Sequence, residues 1–272
     1  MTTPRLAHST KYGRLYQRPE TAVASLKPHA EALKNGLLMP SVTNVIDVMN
    51  KPFLQTWYAK RAAEDAVQVN TTHPGLMESK PAEAIKWIAG AALRTSNSAA
   101  ELGDKVHEAV EVLANGETPE VTPDIKGHVK SWEKFVLEQA PNFKFLEATA
   151  YGKTPEGHQY AGTADFIAEI NGKLYVGDYK TGKSIHTEAA LQLSSLAHAQ
   201  ELYDEVLEQM LPMPKIDGGL VVHLTANGYN LHVVEDLSEP YKVFSQLRQV
   251  WEFYSQNSTS MSPMFMEKRA SL

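Results

Sequence analysis

The chain has 272 residues, 43% of them hydrophobic and 21% charged, the make-up of a globular protein with one large domain or two small ones, which excludes disorder, collagen and coiled coil. No apolar run nears the roughly 18 residues of a membrane span, and Met1–Pro19 is polar and basic, so a cytoplasmic protein with no membrane partner is expected. Cysteine is absent, which removes disulfides, thiolate zinc sites, iron–sulfur clusters and cysteine nucleophiles together, and any metal must sit on oxygen and imidazole. The net charge of −6 hides an asymmetry: residues 1–65 hold nine Lys/Arg against five Asp/Glu, and the acidity lies in the rest. A basic arm beside an acidic body suits a protein that holds metal on carboxylates and grips a polyanion elsewhere, although a solvated surface can show the same imbalance.

In chain order, Ser41 is a helix cap and the apolar series Val42, Val45, Ile46, Met49 predicts a helix over 41–66, interrupted at Pro52 and resuming through Phe53, Leu54, Trp57 and Tyr58. Pro81 to Leu93 reads as a second helix, with proline at a tolerated early position. Ser98-Ala-Ala-Glu101 is a capping-box pattern, so a third helix is expected to start there. It continues along the apolar face Leu102, Val106, Ala109, Val110, Leu113 and stops at Asn115-Gly116. Ile125 to Glu138 is a fourth, ended before Pro141.

From about Phe143 the pattern becomes β-like: Phe143–Tyr151, Gln159–Ile170 and Lys173–Asp178, the last two joined by the hairpin dipeptide Asn171-Gly172. A long helix is expected over Thr187–Met210, then a strand pair Gly219–Leu224 and Tyr229–Val234 around Asn227-Gly228, then a helix over Tyr241–Tyr254. The order predicts a mixed α/β sandwich with a helical N-terminal region. Expected boundaries are a partly basic helical region over 1–97, a core over 98–258 and a tail over 259–272.

The densest polar cluster at predicted strand ends is Asp165 with Asp178-Tyr179-Lys180, followed by Gln192 on the next helix. Two carboxylates converging at a sheet edge can hold a hard divalent cation. Asp178 and Lys180 are two apart, so in a strand they leave the same face. Alone, Asp-x-Lys is as easily an ordinary charged hairpin. Taken together, Gly162-Thr163-Ala164-Asp165, Gly177-Asp178-Tyr179-Lys180-Thr181-Gly182 and Gln192 resemble the PD-(D/E)XK nuclease superfamily. Within it they are most similar to the RecB-like exonuclease branch, whose upstream Gly-x-x-x-His pattern is matched by Gly103-Asp-Lys-Val-His107. The resemblance spans about residues 98–255.

It implies a restriction-endonuclease-like mixed β-sheet flanked by helices, and a deoxyribonuclease dependent on Mg²⁺ or Mn²⁺, an exonuclease in preference to an endonuclease. It implies His107, Asp165 and Asp178 as side-chain metal ligands, the backbone carbonyl of Tyr179 as a further ligand, Lys180 as the catalytic lysine, and Gln192 facing substrate phosphate or the lysine. Glu147 stands where many relatives carry a glutamate, and reads equally as a support of the ligands or an exposed strand residue. Lacking cysteine, the chain resembles the cluster-free, phage-type members rather than the CRISPR-associated ones that carry an iron–sulfur cluster. The implied partners are DNA ends, single- or double-stranded, and a recombination partner protein, in a bacterial or phage-infected cell. Lys60, Arg61 and Lys183 are candidate DNA contacts; Trp57, Tyr58, Tyr12 and Tyr16 read either as stacking platforms or as core.

Three other readings compete. Gly177 to Ser184 satisfies G-x-x-x-x-G-K-[ST] between a strand and a helix, the context of a phosphate-binding loop, but it places a carboxylate and a bulky tyrosine where amides must cradle phosphate. His107-Glu108-Ala-Val-Glu111 lacks the second histidine of a zinc protease helix. A non-catalytic DNA-binding recombination accessory would have no need of Asp165, Asp178 and Lys180 together.

Overall fold

The computed structural model describes residues 7–10, 13–22, 29–49, 51–205 and 207–257; Tyr12 and the tail over 259–272 lie outside them. The N-terminal part opens with a hairpin that the sequence analysis does not anticipate. β1 (Ala7–Thr10) and β2 (Gly13–Tyr16) pair antiparallel, α1 (His29–Lys34) follows, and β3 (Met39–Pro40) returns to β2 as a small three-stranded sheet. Its buried residues Tyr16 and Met39 pack with Tyr151 and Ala161 of the main sheet.

Ser41 caps as expected: its Oγ accepts from the Asn44 N–H at 3.0 Å and starts α2 (Val42–Ile46), which buries Val42, Val45 and Ile46. Pro52 is the break, and α3 (Phe53–Thr72) runs beyond the predicted end at residue 66. α4 (Leu76–Ser79) and α5 (Pro81–Ala89) then lead through Gly90 into α6 (Ala91–Ala114).

The capping box at Ser98–Glu101 is a correction, because those residues lie inside α6, which begins seven residues earlier. No proline or glycine separates Ala91 from Leu102, and Ala91 and Ala92 are buried, so packing extends the helix upstream of the local start signal. Arg94 fixes this upper half by pairing with Asp65 of α3 at 2.8 Å and lying 4.0 Å over the Trp87 ring of α5. The lower half carries Val106, Ala109 and Val110 into the core. α7 (Lys126–Gln139) buries Val129, Trp132 and Phe135 and ends at Ala140, in a left-handed conformation just ahead of Pro141.

The main sheet comprises β4 (Asn142–Lys153), β5 (Gln159–Ile170), β6 (Lys173–Lys180), β7 (Glu201–Asp204), β8 (Gln209–Pro212), β9 (Gly218–Thr225) and β10 (Gly228–Val234). Their order is β10-β9-β6-β5-β4-β7-β8, with β6 and β9 parallel and every other neighbouring pair antiparallel. Asn171 and Gly172 both take positive φ (51° and 74°), the conformation a two-residue hairpin turn demands. In the second hairpin Thr225 pairs with Gly228, so the turn is Ala226-Asn227, one residue earlier than predicted.

The predicted helix over Thr187–Met210 is also corrected: α8 spans only Glu188–Ala197, and the chain then forms β7 and β8. The exposed edge of β4 decides this. Gln200 N–H donates to the Tyr151 carbonyl, Tyr203 aligns with Thr149, and Leu202 becomes fully buried, a set of long-range bonds that no local helical pattern reveals.

α9 (Ser238–Asn257) closes the chain. The mixed sheet is flanked on one face by α2, α8 and α9, around Leu193, Leu196, Phe244 and Trp251, and on the other by α6 and α7, around Val106, Phe135, Phe166 and Tyr179. This is the mixed α/β architecture with a helical N-terminal region that the element order predicts. Among the described residues no helix is long and apolar enough to cross a membrane.

Gly177 pairs directly with Phe166, whose ring is fully buried, and a methyl group added at Gly177 would come within 1.9 Å of that ring. The ring has no open side to move to, so Gly177→Ala is expected to cost about 1–3 kcal/mol. Urea unfolding measures it, and an unchanged midpoint would show that the ring is not confined as described.

Candidate metal centre

The site forms where two strands separate. β5 and β6 pair from Ile170↔Lys173 to Phe166↔Gly177, and beyond that point β6 continues beside β9 alone. Asp165 stands on β5 at the start of the gap, and Asp178, Tyr179 and Lys180 on the free side of β6. The backbone groups of Tyr179 would be orphaned there without substitutes. Its N–H donates to Asp165 Oδ2 at 2.6 Å, and its carbonyl accepts from His107 Nε2 at 2.8 Å. Functional side chains thus complete a ladder that the neighbouring strand abandons.

Because a carbonyl only accepts, His107 Nε2 must carry a hydrogen, which leaves Nδ1 as the nitrogen turned towards Asp165. Nδ1 lies 3.4 Å from Asp165 Oδ2. A lone pair and a carboxylate oxygen at that distance repel unless a proton or a cation lies between them. Nitrogen anchored to a backbone carbonyl on one side and free on the other is the usual condition of a metal-binding histidine.

Glu147 joins them from β4: ligand atoms of His107, Glu147 and Asp165 all lie within 4.8 Å of one another. Its φ of 48° is unusual within a strand and accompanies an interruption of the β4–β5 ladder between Leu146↔Phe166 and Ala148↔Ala164. The glutamate thereby lies beside His107 and Asp165 rather than out on the strand surface.

Asp178 is almost fully buried. Its Oδ1 accepts from Lys180 Nζ at 2.7 Å and from Gln192 Nε2 of α8 at 2.9 Å. Lys180 Nζ is equally near Oδ2, yet that buried oxygen accepts no hydrogen bond. The expected pairing of Asp178 and Lys180 on one strand face is realised, and Gln192 faces the site. The Tyr179 carbonyl does point into it, but as the acceptor for His107; the Tyr179 ring packs on the opposite side, 4.9 Å from Phe166.

The surrounding cavity measures about 650 Å³ and is strongly acidic, with Asp104, Glu108 and Glu111 along one face of α6 in addition to the residues above. Burial, with repulsion from Asp165 and Glu111, pushes the Glu147 carboxyl up to about 8, against a weaker opposing pull from Arg14. Burial and the neighbouring Asp178 likewise push Asp165 up to about 6, opposed by His107 and the Tyr179 N–H. Carboxylates held protonated only by one another's proximity and by desolvation are relieved by a divalent cation. The donor set of one imidazole nitrogen and several carboxylate oxygens fits Mg²⁺ or Mn²⁺.

Sequence reasoning missed part of the wall. Arg14 and Tyr16 of β2 and Ser41 to Thr43 also line the cavity, and Tyr16 Oη is 3.2 Å from Thr163 Oγ1. Tyr16 is therefore buried wall rather than an open stacking platform. Glu108 and Glu111 were detectable, since with Asp104 and His107 they follow the i, i+3, i+4 stripe of a helix. Lys60, Arg61 and Lys183 do not line this cavity; Arg61 instead pairs with Glu64 and Lys60 lies 3.9 Å from the same residue. The phosphate-loop reading of Gly177 to Ser184 also fails on geometry. Gly177 to Lys180 belong to β6, and α8 begins only at Glu188.

Glu147 and Asp165 both ionise at higher pH in the folded than in the unfolded chain, so the metal-free fold binds more protons than the unfolded state between about pH 4.5 and 8. Stability in EDTA is therefore expected to fall as pH rises through that window. Glu147→Gln should melt several degrees above wild type at pH 8, with the gap closing towards pH 5. Melting curves that remain parallel across the range would contradict the crowding of charge.

No family model matches the chain, and no curated protein matches it. Among solved structures, one described as "Crystal structure of SSO0001" is similar at 14% identity with a TM-score of 0.30, over 46% of this chain and 56% of that chain. A likeness of that size, spanning little more than half of the other chain, carries no argument about function.

Proposed function

We propose that the chain is a metal-dependent deoxyribonuclease that hydrolyses phosphodiester bonds, acting from DNA ends, with the PD-(D/E)XK arrangement its motifs resemble. The observation that supports this most is the convergence of His107, Asp165, Asp178 and Lys180 on the opening between β5 and β6. His107 Nδ1, Glu147 and Asp165, with Asp178 adjoining them, would hold Mg²⁺ or Mn²⁺. When bound, such a cation lowers the pKa of water and neutralises charge on the phosphate and the leaving oxygen.

The chain's own residues do the rest. Lys180, its ammonium held against Asp178 at the rim, would orient the attacking water and contact the phosphate. Gln192 and Lys180 fix the Asp178 carboxylate through two hydrogen bonds to Oδ1, which keeps Oδ2 directed to the site. The Tyr179 carbonyl sets the histidine tautomer. The acidic wall explains how a DNA enzyme can carry a net charge of −6: carboxylates repel a polyanion until a cation inverts the local field. A role in phage or bacterial DNA recombination, repair or degradation, inside the cell, follows from the same resemblance.

The test is digestion of linear single- and double-stranded DNA, labelled at either end, beside a circular control, in Mg²⁺, Mn²⁺ and EDTA. Linear DNA should be lost only with metal, the circle should survive, and Lys180→Ala should slow the reaction by roughly 10²–10⁴-fold, the range for removal of a proton-transfer group. No cutting by wild type in either metal would leave the non-catalytic DNA-binding reading in its place.

A further inference from the structure

A second, smaller compartment of about 230 Å³ adjoins the acidic cavity, and the two share Thr43, Lys180 and Gln192. Its floor is apolar, from Ile46, Ile185 and Ala189. Its rim carries Lys51, from the link between α2 and α3, Ser184 and His186, from the loop between β6 and α8, and the carboxylates of Asp47 and Glu188. Lys51 reaches Asp47 at 3.2 Å and lies 3.9 Å from Glu188, so its ammonium is held at the opening.

Beside this rim the ring of Phe53 stacks on the imidazole of His186, with centroids 6.0 Å apart and planes inclined by 15°. Phe53 is 53% exposed although it is a large apolar residue at the start of a helix. One turn further along α3, Trp57 projects from the same face, packed edge-on with the half-exposed Tyr58 at 5.3 Å. A flat aromatic pair next to a candidate hydrolytic centre presents the stacking surface that an unpaired base needs.

We propose that this compartment receives the nucleotide adjoining the scissile phosphate as a single strand, its base stacked on the Phe53–His186 pair, and that Trp57 continues the path along α3. The assignment rests on the nuclease reading and adds its substrate class. A base already paired and stacked within a duplex has no free face to offer these rings. The substrate engaged is therefore a single-stranded end, or a duplex end that has opened. The volume, below the roughly 300–1,000 Å³ of common ligand pockets, suits one base and not a larger group.

The experiment is fluorescence anisotropy with labelled oligothymidylate and with a blunt duplex of equal length, in EDTA and separately in Ca²⁺, for wild type, Phe53→Ala, Phe53→Trp and His186→Ala. The KM for Mg²⁺-dependent digestion is measured alongside. Loss of one stacking platform should weaken single-strand binding by roughly 5- to 100-fold, raise KM more than it lowers kcat, and leave the melting temperature unchanged because Phe53 is half exposed. Phe53→Trp should restore binding, and duplex affinity should hardly respond. Equal single-strand affinity and KM in wild type and Phe53→Ala, or no single-strand binding by wild type in either condition, overturns the path even if the enzyme cuts. Phe53-dependent binding without cutting in any metal keeps the path and removes the nuclease reading.

Discussion

The parting of β5 from β6 after the Phe166–Gly177 pair is the constraint on which the rest of the site depends. Tyr175 to Gly177 have strand neighbours on both sides, but Asp178 to Lys180 face a gap on the β5 side. Buried backbone groups left unpaired cost about 1–3 kcal/mol each, and here Asp165 and His107 supply the missing partners for Tyr179. One strand thus sends alternate residues to two destinations. Tyr179 anchors its ring in the core beside Phe166, while Asp178 and Lys180 on either side of it project to the opening.

That arrangement concentrates negative charge in a place water reaches poorly. Glu147, Asp165 and Asp178 converge, and the exposed Glu108 and Glu111 of α6 extend the acidic wall towards solvent. Among the described residues, the closest cation contact to these carboxylates is Lys180 on Asp178. The elevated ionisation of Glu147 and Asp165 records the cost, and the positive φ of Glu147 adds backbone strain of order 1–3 kcal/mol. Sites that sacrifice stability in this way are characteristic of function rather than of folding. The support comes from outside the site: the long α6, secured at its upper end by Arg94 and Trp87, carries His107 about four turns from its buried Ala91–Ala92 start.

Much of this was legible in the sequence because it is local. Asn171-Gly172 marked its hairpin, Ser41 its cap, and Asp165, Asp178, Lys180, Gln192 and His107 were found by spacing and by the resemblance of their motifs, and the structure brings all five together. What was missed depends on distant partners. The strand β7 was hidden within a helix-like run because only the open edge of β4 calls it out. The Ser98 capping box was overridden by burial of Ala91 and Ala92. Glu147 could not be placed from its own segment, since a backbone irregularity opposite Asp165 directs it. The strands β1 and β2 are short, and the role of β2 as a cavity wall appears only when Tyr16 meets Thr163.

The account stands on the acidic cluster being a divalent-cation site, and calorimetric titration of the metal-free protein with Mn²⁺ tests it most directly. The Glu147 carboxyl, pushed up to about 8, must release its proton on binding. At pH 7 the measured heat should therefore vary with the ionisation enthalpy of the buffer, by an amount corresponding to about one proton, and Asp165→Asn should abolish binding. Absence of Mn²⁺ binding, or binding of equal strength in Asp165→Asn with no proton release, would contradict it.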